Sequence, residues 1–265
     1  MTPTRRQLTL ALAAAALLGG TAAHAQNALE KIQQTKTIKI AVPTDYPPYG
    51  FVGLDLKPQG LDVAMAELIA QQMGAKLQMV PVTSANRIPY LQTKQVDLVI
   101  STLGKNPDRL KVIDFTHAYA PFFQGVYAPK AMQVKSFDDL AGKTIAVAKG
   151  AMEEQELAKV GPASMQFKRY EDQAASTAAF VAGQTQVIAT SVSNAGLMMQ
   201  KNPQLGAEYK LLIKDSPNFV GVAKGEDALR AKVNEIILAA KKDGTLDAMS
   251  KKWLGRPAGD LPLTE

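Results

Sequence analysis

The sequence contains no cysteine and only two histidines, His24 and His117, among its 265 residues. The absence of cysteine excludes disulfide bonds, thiolate metal ligands and a cysteine-linked lipid anchor. One histidine beyond the first 25 residues is too few for a zinc site or a Ser-His-Asp triad, and we expect His117 to be structural. The sequence therefore predicts neither a metal nor another cofactor.

Two further patterns of known binding proteins are missing. Lysine and arginine are scattered among aspartate and glutamate, so the net charge of +6 forms no basic stripe and nucleic-acid binding is not expected. The glycines Gly50, Gly53 and Gly60 are too widely spaced for a phosphate-binding loop of the Walker or dinucleotide type.

The N-terminal residues have the pattern of an export signal. Arg5 and Arg6 precede a short apolar run over residues 8–18, and Ala23-His24-Ala25 fits a cleavage site. No later apolar run is long enough to cross a bilayer. We therefore predict that residues 1–25 are a signal peptide and that the mature protein is periplasmic.

The mature chain alternates short apolar strands with amphipathic helices, the pattern of an α/β protein. A short helix (28–34) precedes a strand (37–42), a proline-rich loop (43–51) predicted to be neither helix nor strand, and a helix (60–73). A strand (76–82), a short helix (86–93) and a strand beginning at Val96 complete a βαβαβ unit. The segment from 136 to 191 repeats this pattern.

The repetition predicts two lobes joined by a two-strand hinge. We place lobe 1 at residues 26–127 and 225–265, and lobe 2 at residues 128–224. The chain would then cross near residues 127–130 and 220–224. Helices over 226–242 and 246–254 are expected to pack on lobe 1.

The stretch VDLVISTLGKNPDR contains the strongest signal for a binding site. Its strand ends in Ser101 and Thr102, at the edge where open α/β sheets bind ligands. Gly104 allows a close turn, Asn106 fits a helix cap before Pro107, and Arg109 follows in the first helical turn, where the helix dipole disfavours a cation. Arg109 is suited to gripping a carboxylate. The alternative is a surface ion pair with Asp108 or Asp114.

With TIKIAVPTDYPPYGF, GLDVAMAELIAQQMG, SANRIPYLQTKQVDLVIS, STLGKNPDR, DLAGKTIAVAKG and DGTLDAMSKKW in this order, the chain resembles the periplasmic solute-binding proteins of polar amino-acid ABC transporters, family 3. The resemblance covers residues 36–254. It implies the type II periplasmic-binding-protein fold, in which two α/β lobes close on a small molecule. It also implies a non-enzymatic, monomeric protein that delivers an amino acid or related carboxylate to an ABC permease.

The resemblance also implies roles for individual residues. Arg109 would clamp the ligand carboxylate with help from the Gly104 amide and from Ser101 or Thr102, and Tyr46 would stack on the ligand. Residues 150–152 would offer backbone N–H groups. The implied ligand-binding residues are Tyr46, Phe51, Ser84, Arg87, Ser101, Thr102, Gly104, Arg109, Gly150, Met152, Thr190 and Ser191.

Several departures from the family pattern affect the expected ligand. Ala151 and Met152 stand where many relatives have hydroxyl residues, and Ser191 stands where an ammonium-binding aspartate is expected. SANRIP is similar to glutamate/aspartate-binding members, in which the residue matching Arg87 reaches a second carboxylate. The alternative for Arg87 is a solvated arginine at a helix start. We expect nothing in the cleft to neutralise a second positive charge on the ligand, and therefore a preference for anions over cationic amino acids.

Two other functions remain open at this point. An exported cyclohexadienyl dehydratase-like enzyme would share the architecture, with Glu153 or Glu154 as general acid. The ligand-sensing module of a receptor is disfavoured because no membrane span or signalling domain follows in the sequence.

Overall fold

The computed structural model describes residues 27–263, so the predicted signal peptide lies outside the described residues. The α-helices of this range are α1 (Ala28–Thr35), α2 (Leu61–Gln72), α3 (Arg87–Gln92), α4 (Pro107–Leu110), α5 (Met152–Val160), α6 (Gln173–Val181), α7 (Val192–Lys201), α8 (Asp227–Lys242) and α9 (Thr245–Leu254). Short 3₁₀ turns cover Phe137–Leu140 and Pro203–Leu205. None of these helices is long and apolar enough to cross a membrane.

The strands form two five-stranded sheets and one small sheet. They are β1 (Thr37–Val42), β2 (Asp45–Tyr46), β3 (Gly50–Val52), β4 (Pro58–Gln59), β5 (Lys76–Pro81), β6 (Leu98–Leu103), β7 (Ile113–Ala120), β8 (Phe123–Pro129), β9 (Thr144–Ala148), β10 (Gln166–Tyr170), β11 (Val187–Ser191), β12 (Ala207–Asp215) and β13 (Asn218–Ala223).

The first sheet has the strand order β5-β1-β6-β13-β7. Strand β1 pairs in parallel with β5 and β6, as the predicted βαβαβ unit requires, while β13 is antiparallel to β6 and β7. All six residues of β6 are buried, which explains why its sequence is an apolar run without alternation. The carboxyl end of β6 therefore delivers Ser101 and Thr102 to an interior edge of the sheet.

The second sheet has the order β10-β9-β11-β8-β12. Strand β9 is parallel to β10 and β11, and β8 is antiparallel to β11 and β12. This arrangement confirms the two-lobe type II fold. We call the elements around the first sheet lobe 1 and those around the second sheet lobe 2.

The crossings between the sheets differ from the predicted positions near 127–130 and 220–224. Strand β7 pairs within the first sheet and β8 within the second, so the chain crosses at residues 121–122. Strand β12 belongs to the second sheet and β13 to the first, so it returns at residues 216–217. The predicted boundaries after residues 127 and 224 are therefore wrong by several residues. The aromatic run 115–127 has an uninterrupted extended pattern, and only Pro121 marks the break.

The prediction that the proline-rich loop contains no strand is also wrong. Strands β2, β3 and β4 form a small antiparallel sheet in which Tyr46 pairs with Gly50. A cis peptide bond joins Pro47 and Pro48 in the turn between β2 and β3. This small sheet places Asp45 and Tyr46 beside the second lobe.

Each lobe has its own hydrophobic core. In lobe 1, α8 and α9 bury Leu229, Val233 and Leu246 in the same cluster as the β1 and β6 side chains, which confirms their predicted packing. The second sheet has one cluster around Val147 and Leu157 and another that includes Tyr127. The cores of the two lobes are thus separate clusters.

Candidate functional site

Arg87 is a buried arginine at the first position of α3, with 3% of its surface exposed. Its Nε donates to Ser101 Oγ at 3.1 Å, and its Nη2 donates to Ser84 Oγ at 2.8 Å and to Thr102 Oγ1 at 3.1 Å. Burial lowers the pKa of its guanidinium, and the nearby carboxylates of Asp45, Glu153 and Asp62 oppose that shift. The alternative of a solvated helix-start arginine is therefore wrong.

Arg109 is the second buried arginine, with 4% of its surface exposed. Asn106 caps α4 by accepting from Arg109 N, and Pro107 is the first helical residue, as the sequence predicts. The guanidinium donates from Nη1 to Gly104 O at 2.9 Å and from Nη2 to Gly150 O at 3.2 Å. Arg109 thus reaches across the cleft to lobe 2, whereas the Ser101 and Thr102 hydroxyls, predicted to help bind the ligand carboxylate, accept hydrogen bonds from Arg87.

The alternative surface ion pairs of Arg109 are also absent from the described residues. Asp108 pairs with Lys111, and Asp114 pairs with Lys224. Burial and the charge of Arg87 lower the pKa of Arg109 to about 10, which leaves its guanidinium protonated at neutral pH. Its Nε is buried without a hydrogen-bond partner in the described part of the chain. A buried guanidinium with an unused N–H is suited to an anionic ligand.

Both arginines line a cavity of about 100 Å³ between the lobes. The other lining residues are Ser84, Ala85, Ile88, Leu103, Gly150 and Gln155. A wider groove of about 430 Å³ lies next to it and shares Ile88, Arg109 and Gln155 with it. The cavity is small and carries two positive charges, so it suits a small molecule with at least one carboxylate.

Tyr46 connects the two lobes through its hydroxyl group. Ser191 N donates to Tyr46 Oη at 2.9 Å, and Thr190 Oγ1 lies 3.1 Å from the same oxygen. The Tyr46 hydroxyl also lies 3.4 Å from Glu153 Oε1. The ring packs against Tyr49 at a centroid distance of 5.4 Å. The predicted stacking platform is thus an interlobe hydrogen-bonding group in this arrangement.

Two further pairs of polar groups join the lobes on either side of the cavity. Asn106 Nδ2 of lobe 1 donates to Gln155 Oε1 of lobe 2 at 3.0 Å. Gln173 N, the first N–H of α6, donates to Asp45 Oδ2 at 2.8 Å. The described structure is therefore a closed arrangement of the two lobes.

Glu153 is a buried carboxylate of lobe 2 with 3% of its surface exposed, and it lies beside the Tyr46 hydroxyl of lobe 1 rather than in the lining of the cavity of about 100 Å³. Burial raises the pKa of its side chain, while Arg87 and Arg109 lower it. From the sequence, this residue is expected only as the general acid of an alternative enzyme. Its interaction with both arginines contradicts the expectation that nothing in the cleft neutralises a second positive charge. Nothing in the sequence distinguishes a glutamate that is buried next to the arginines from one that only interacts with the helix dipole at a helix start.

The structure brings most of the predicted site residues together but not all of them. Phe51 faces elsewhere, and its ring packs edge-to-face on Trp253 at a centroid distance of 6.1 Å. Ser191 Oγ accepts from Asn194 N and caps α7. Met152 is buried and its Sδ accepts from Asn106 Nδ2 at 3.6 Å. Within residues 27–263, no three histidine or acidic side chains are grouped so as to hold a metal ion.

The backbone of Gly150 in lobe 2 packs directly against the backbone of Ala85 in lobe 1. The φ of Gly150 is +75°, and a Cβ on it would lie 3.0 Å from Ala85 Cα in lobe 1. We expect Gly150→Ala to lose about 1 kcal/mol of stability from the left-handed backbone and to weaken ligand binding about tenfold by obstructing closure, as measured by calorimetry.

The matched control for Gly150→Ala is Gly142→Ala. Gly142 lies in the same lobe with φ +70°, and nothing lies within 4 Å of its added Cβ. This variant should lose similar stability without losing affinity. Equal affinities for the two variants would show that Gly150 does not limit closure.

The family model for bacterial extracellular solute-binding proteins, family 3, matches residues 38–256. The L-cystine-binding protein TcyJ of Escherichia coli (strain K12) is 27% identical over 257 residues, covering 94% of this chain and 96% of that protein.

Two solved structures show the same fold. The solute receptor for L-cysteine of Neisseria gonorrhoeae matches with a TM-score of 0.80 and 28% identity, covering 85% of this chain and 93% of its own. An ancestral amino acid-binding protein, AncCDT-1, a precursor of cyclohexadienyl dehydratase, matches with a TM-score of 0.77 and 27% identity, covering 86% of this chain and 99% of its own.

Proposed function

The chain belongs to the bacterial extracellular solute-binding proteins of family 3, and we propose that it binds one small amino acid or related carboxylate between its lobes. Its relatives bind solutes for ABC transport rather than catalyse reactions, and the same role is assigned to this chain. We further propose a periplasmic, monomeric protein whose signal peptide is removed. The loaded, closed protein would be the form that an ABC permease receives.

The observation that carries this proposal is the pair of buried arginines around the interlobe cavity. Arg87 and Arg109 are both less than 5% exposed, and neither makes an ion pair within 4 Å in the part of the chain described here. Burying a cation without a directly paired anion costs several kcal/mol. A ligand carboxylate offsets that cost at Arg109, whose Nε has no partner among the described residues.

The proposal is tested by a thermal-shift screen of the mature protein with amino acids and small dicarboxylic acids. A ligand at 100 times its Kd adds about 2.7 kcal/mol to the free energy of unfolding, which is a readily measured rise in Tm. Small-angle scattering with the best ligand should then show a smaller radius of gyration than without it. A complete panel without any stabilising amino acid or carboxylate would argue against the proposed function.

A dehydratase is the second candidate function, and the burial of Glu153 is the observation that favours it. A desolvated carboxyl group with a raised pKa beside two arginines is suited to general acid catalysis on a carboxylated ring. Incubation with prephenate or arogenate separates the two functions. We expect no phenylpyruvate or phenylalanine, because the cavity of about 100 Å³ is small for a substituted ring.

A further inference from the structure

An α-amino acid brings an ammonium group into the cleft, and lobe 2 offers few partners for it. The Ser191 hydroxyl already accepts from Asn194 N, and Thr190 Oγ1 accepts from Asn194 Nδ2 at 3.1 Å. Both groups are uncharged. The Asp45 carboxylate accepts from Gln173 N at the start of α6. A buried ammonium without an anionic partner would be strongly unfavourable.

Glu153 has the charge and the unused capacity that an ammonium requires. A carboxylate has about four acceptor positions, but across residues 27–263 its one side-chain partner is Tyr46 Oη, at 3.4 Å from Oε1. That distance is at the long end for an O–H···O bond. No lysine or arginine of the described chain lies within ion-pair distance of it.

The arginines mark where the other end of the ligand lies. Arg109 Nε is buried without a partner in the described chain, and the guanidinium interacts electrostatically with Glu153. Arg87 Nη1 makes no hydrogen bond to any described residue, and Arg87 lines the same cavity. The cleft therefore has a cationic side formed by two guanidiniums, and the buried Glu153 carboxylate interacts electrostatically with both of them.

We infer that Glu153 receives the α-ammonium group of the ligand, so that the cleft selects α-amino acids over the same acids without the amino group. This inference rests on the proposed function. Glu153 lies on α5, directly after the Gly150 segment that closes against Arg109. One closing movement of lobe 2 thus brings both the Gly150 carbonyl and the Glu153 carboxylate to the ligand.

The test compares each amino acid with its desamino analogue by calorimetry at fixed pH and ionic strength. The probe pairs are L-cysteine with 3-mercaptopropionate, under reducing conditions, and L-glutamine with 4-carbamoylbutanoate. For the pair that binds, the wild type should prefer the amino acid by at least 100-fold. Glu153→Gln preserves the shape of the side chain and removes its charge, and it should reduce that preference at least tenfold.

The control is Glu156→Gln on the same helix, because the Glu156 carboxylate is already paired with Lys159 and Lys214. This variant should retain the wild-type preference. Equal binding of an amino acid and its desamino analogue by the wild type overturns the inference without any variant. An unchanged preference in Glu153→Gln also overturns it and leaves the proposed function standing. Failure of every amino acid and carboxylate of the thermal-shift panel to bind the wild type counts against the proposed function itself.

Discussion

Replacing Arg109 by alanine is expected to weaken ligand binding at least 100-fold while the protein remains folded. The guanidinium donates to Gly104 O of lobe 1 and to Gly150 O of lobe 2 through its two terminal nitrogens. Its remaining Nε–H is directed into a buried environment. A charge-assisted bond contributes about 1.5–3 kcal/mol, and a 100-fold loss corresponds to about 2.7 kcal/mol.

Two further variants test whether the loss of affinity is specific to the guanidinium of Arg109. Arg109→Lys keeps the charge but loses the planar fork, so its affinity should lie between those of the wild type and Arg109→Ala. Arg230→Ala removes an arginine that pairs with Asp227 on the surface of α8, and its affinity should equal that of the wild type. Calorimetry that finds wild-type affinity in Arg109→Ala would exclude Arg109 from the ligand site.

The sequence predicts the local structure around the two arginines well. The hydrophobic periodicities identify β1, α2 and β6, and the Asn-Pro pair identifies the start of α4. These features depend on neighbouring residues, because strand burial, helix capping and proline geometry are local properties. The unfavourable position of a cation in the first turn of a helix correctly separates Arg109 from a surface residue.

The hydrogen-bond partners of the site residues could not be predicted from the sequence. Tyr46 and Ser191 are 145 residues apart in the chain, and Thr102 and Asp62 are 40 apart. No periodicity indicates such pairs, since they form only when two lobes or a helix and a strand come together. The hydrogen bonds from Arg87 to Ser101 and Thr102 are of this kind, because they form only where the helix that carries Arg87 lies beside the end of β6.

Asp62 is another residue whose hydrogen bonds could not be predicted from the sequence, and it supports the binding site from beneath. Its side chain is fully buried at the start of α2, where the sequence shows only an acidic residue suited to a helix N-terminus. Thr102 N donates to Asp62 Oδ2 at 2.8 Å, and Tyr119 Oη donates to Oδ1 at 2.7 Å. The φ of Thr102 is 42°, a strained value, and the hydrogen bond to Asp62 holds the backbone of Thr102 in this conformation. The hydroxyl of Thr102 in turn accepts from Arg87.

The pH dependence of stability should reveal Asp62 directly. Burial raises its pKa in the folded protein from 3.8 to about 7, although both hydrogen bonds and Arg87 lower it. The folded state therefore binds more protons than the unfolded state between these values, and the stability contributed by Asp62 falls as the pH rises. The free energy of unfolding of the wild type, relative to Asp62→Asn, should decrease by about 4 kcal/mol from pH 4 to above pH 7.

Trp253 provides the measurement, because it is the only tryptophan and packs on the core of lobe 1 that contains Asp62. Urea unfolding followed by its fluorescence, at intervals from pH 4 to 8, gives both free energies. Asp243→Asn is the control, because its pH dependence should have the opposite direction. Hydrogen bonds from Thr245 lower the pKa of Asp243, so the stability that Asp243 contributes is present at neutral pH and is lost as the pH falls. A difference between the wild type and Asp62→Asn that stays constant over this range would show that the Asp62 carboxyl group does not titrate in the folded protein.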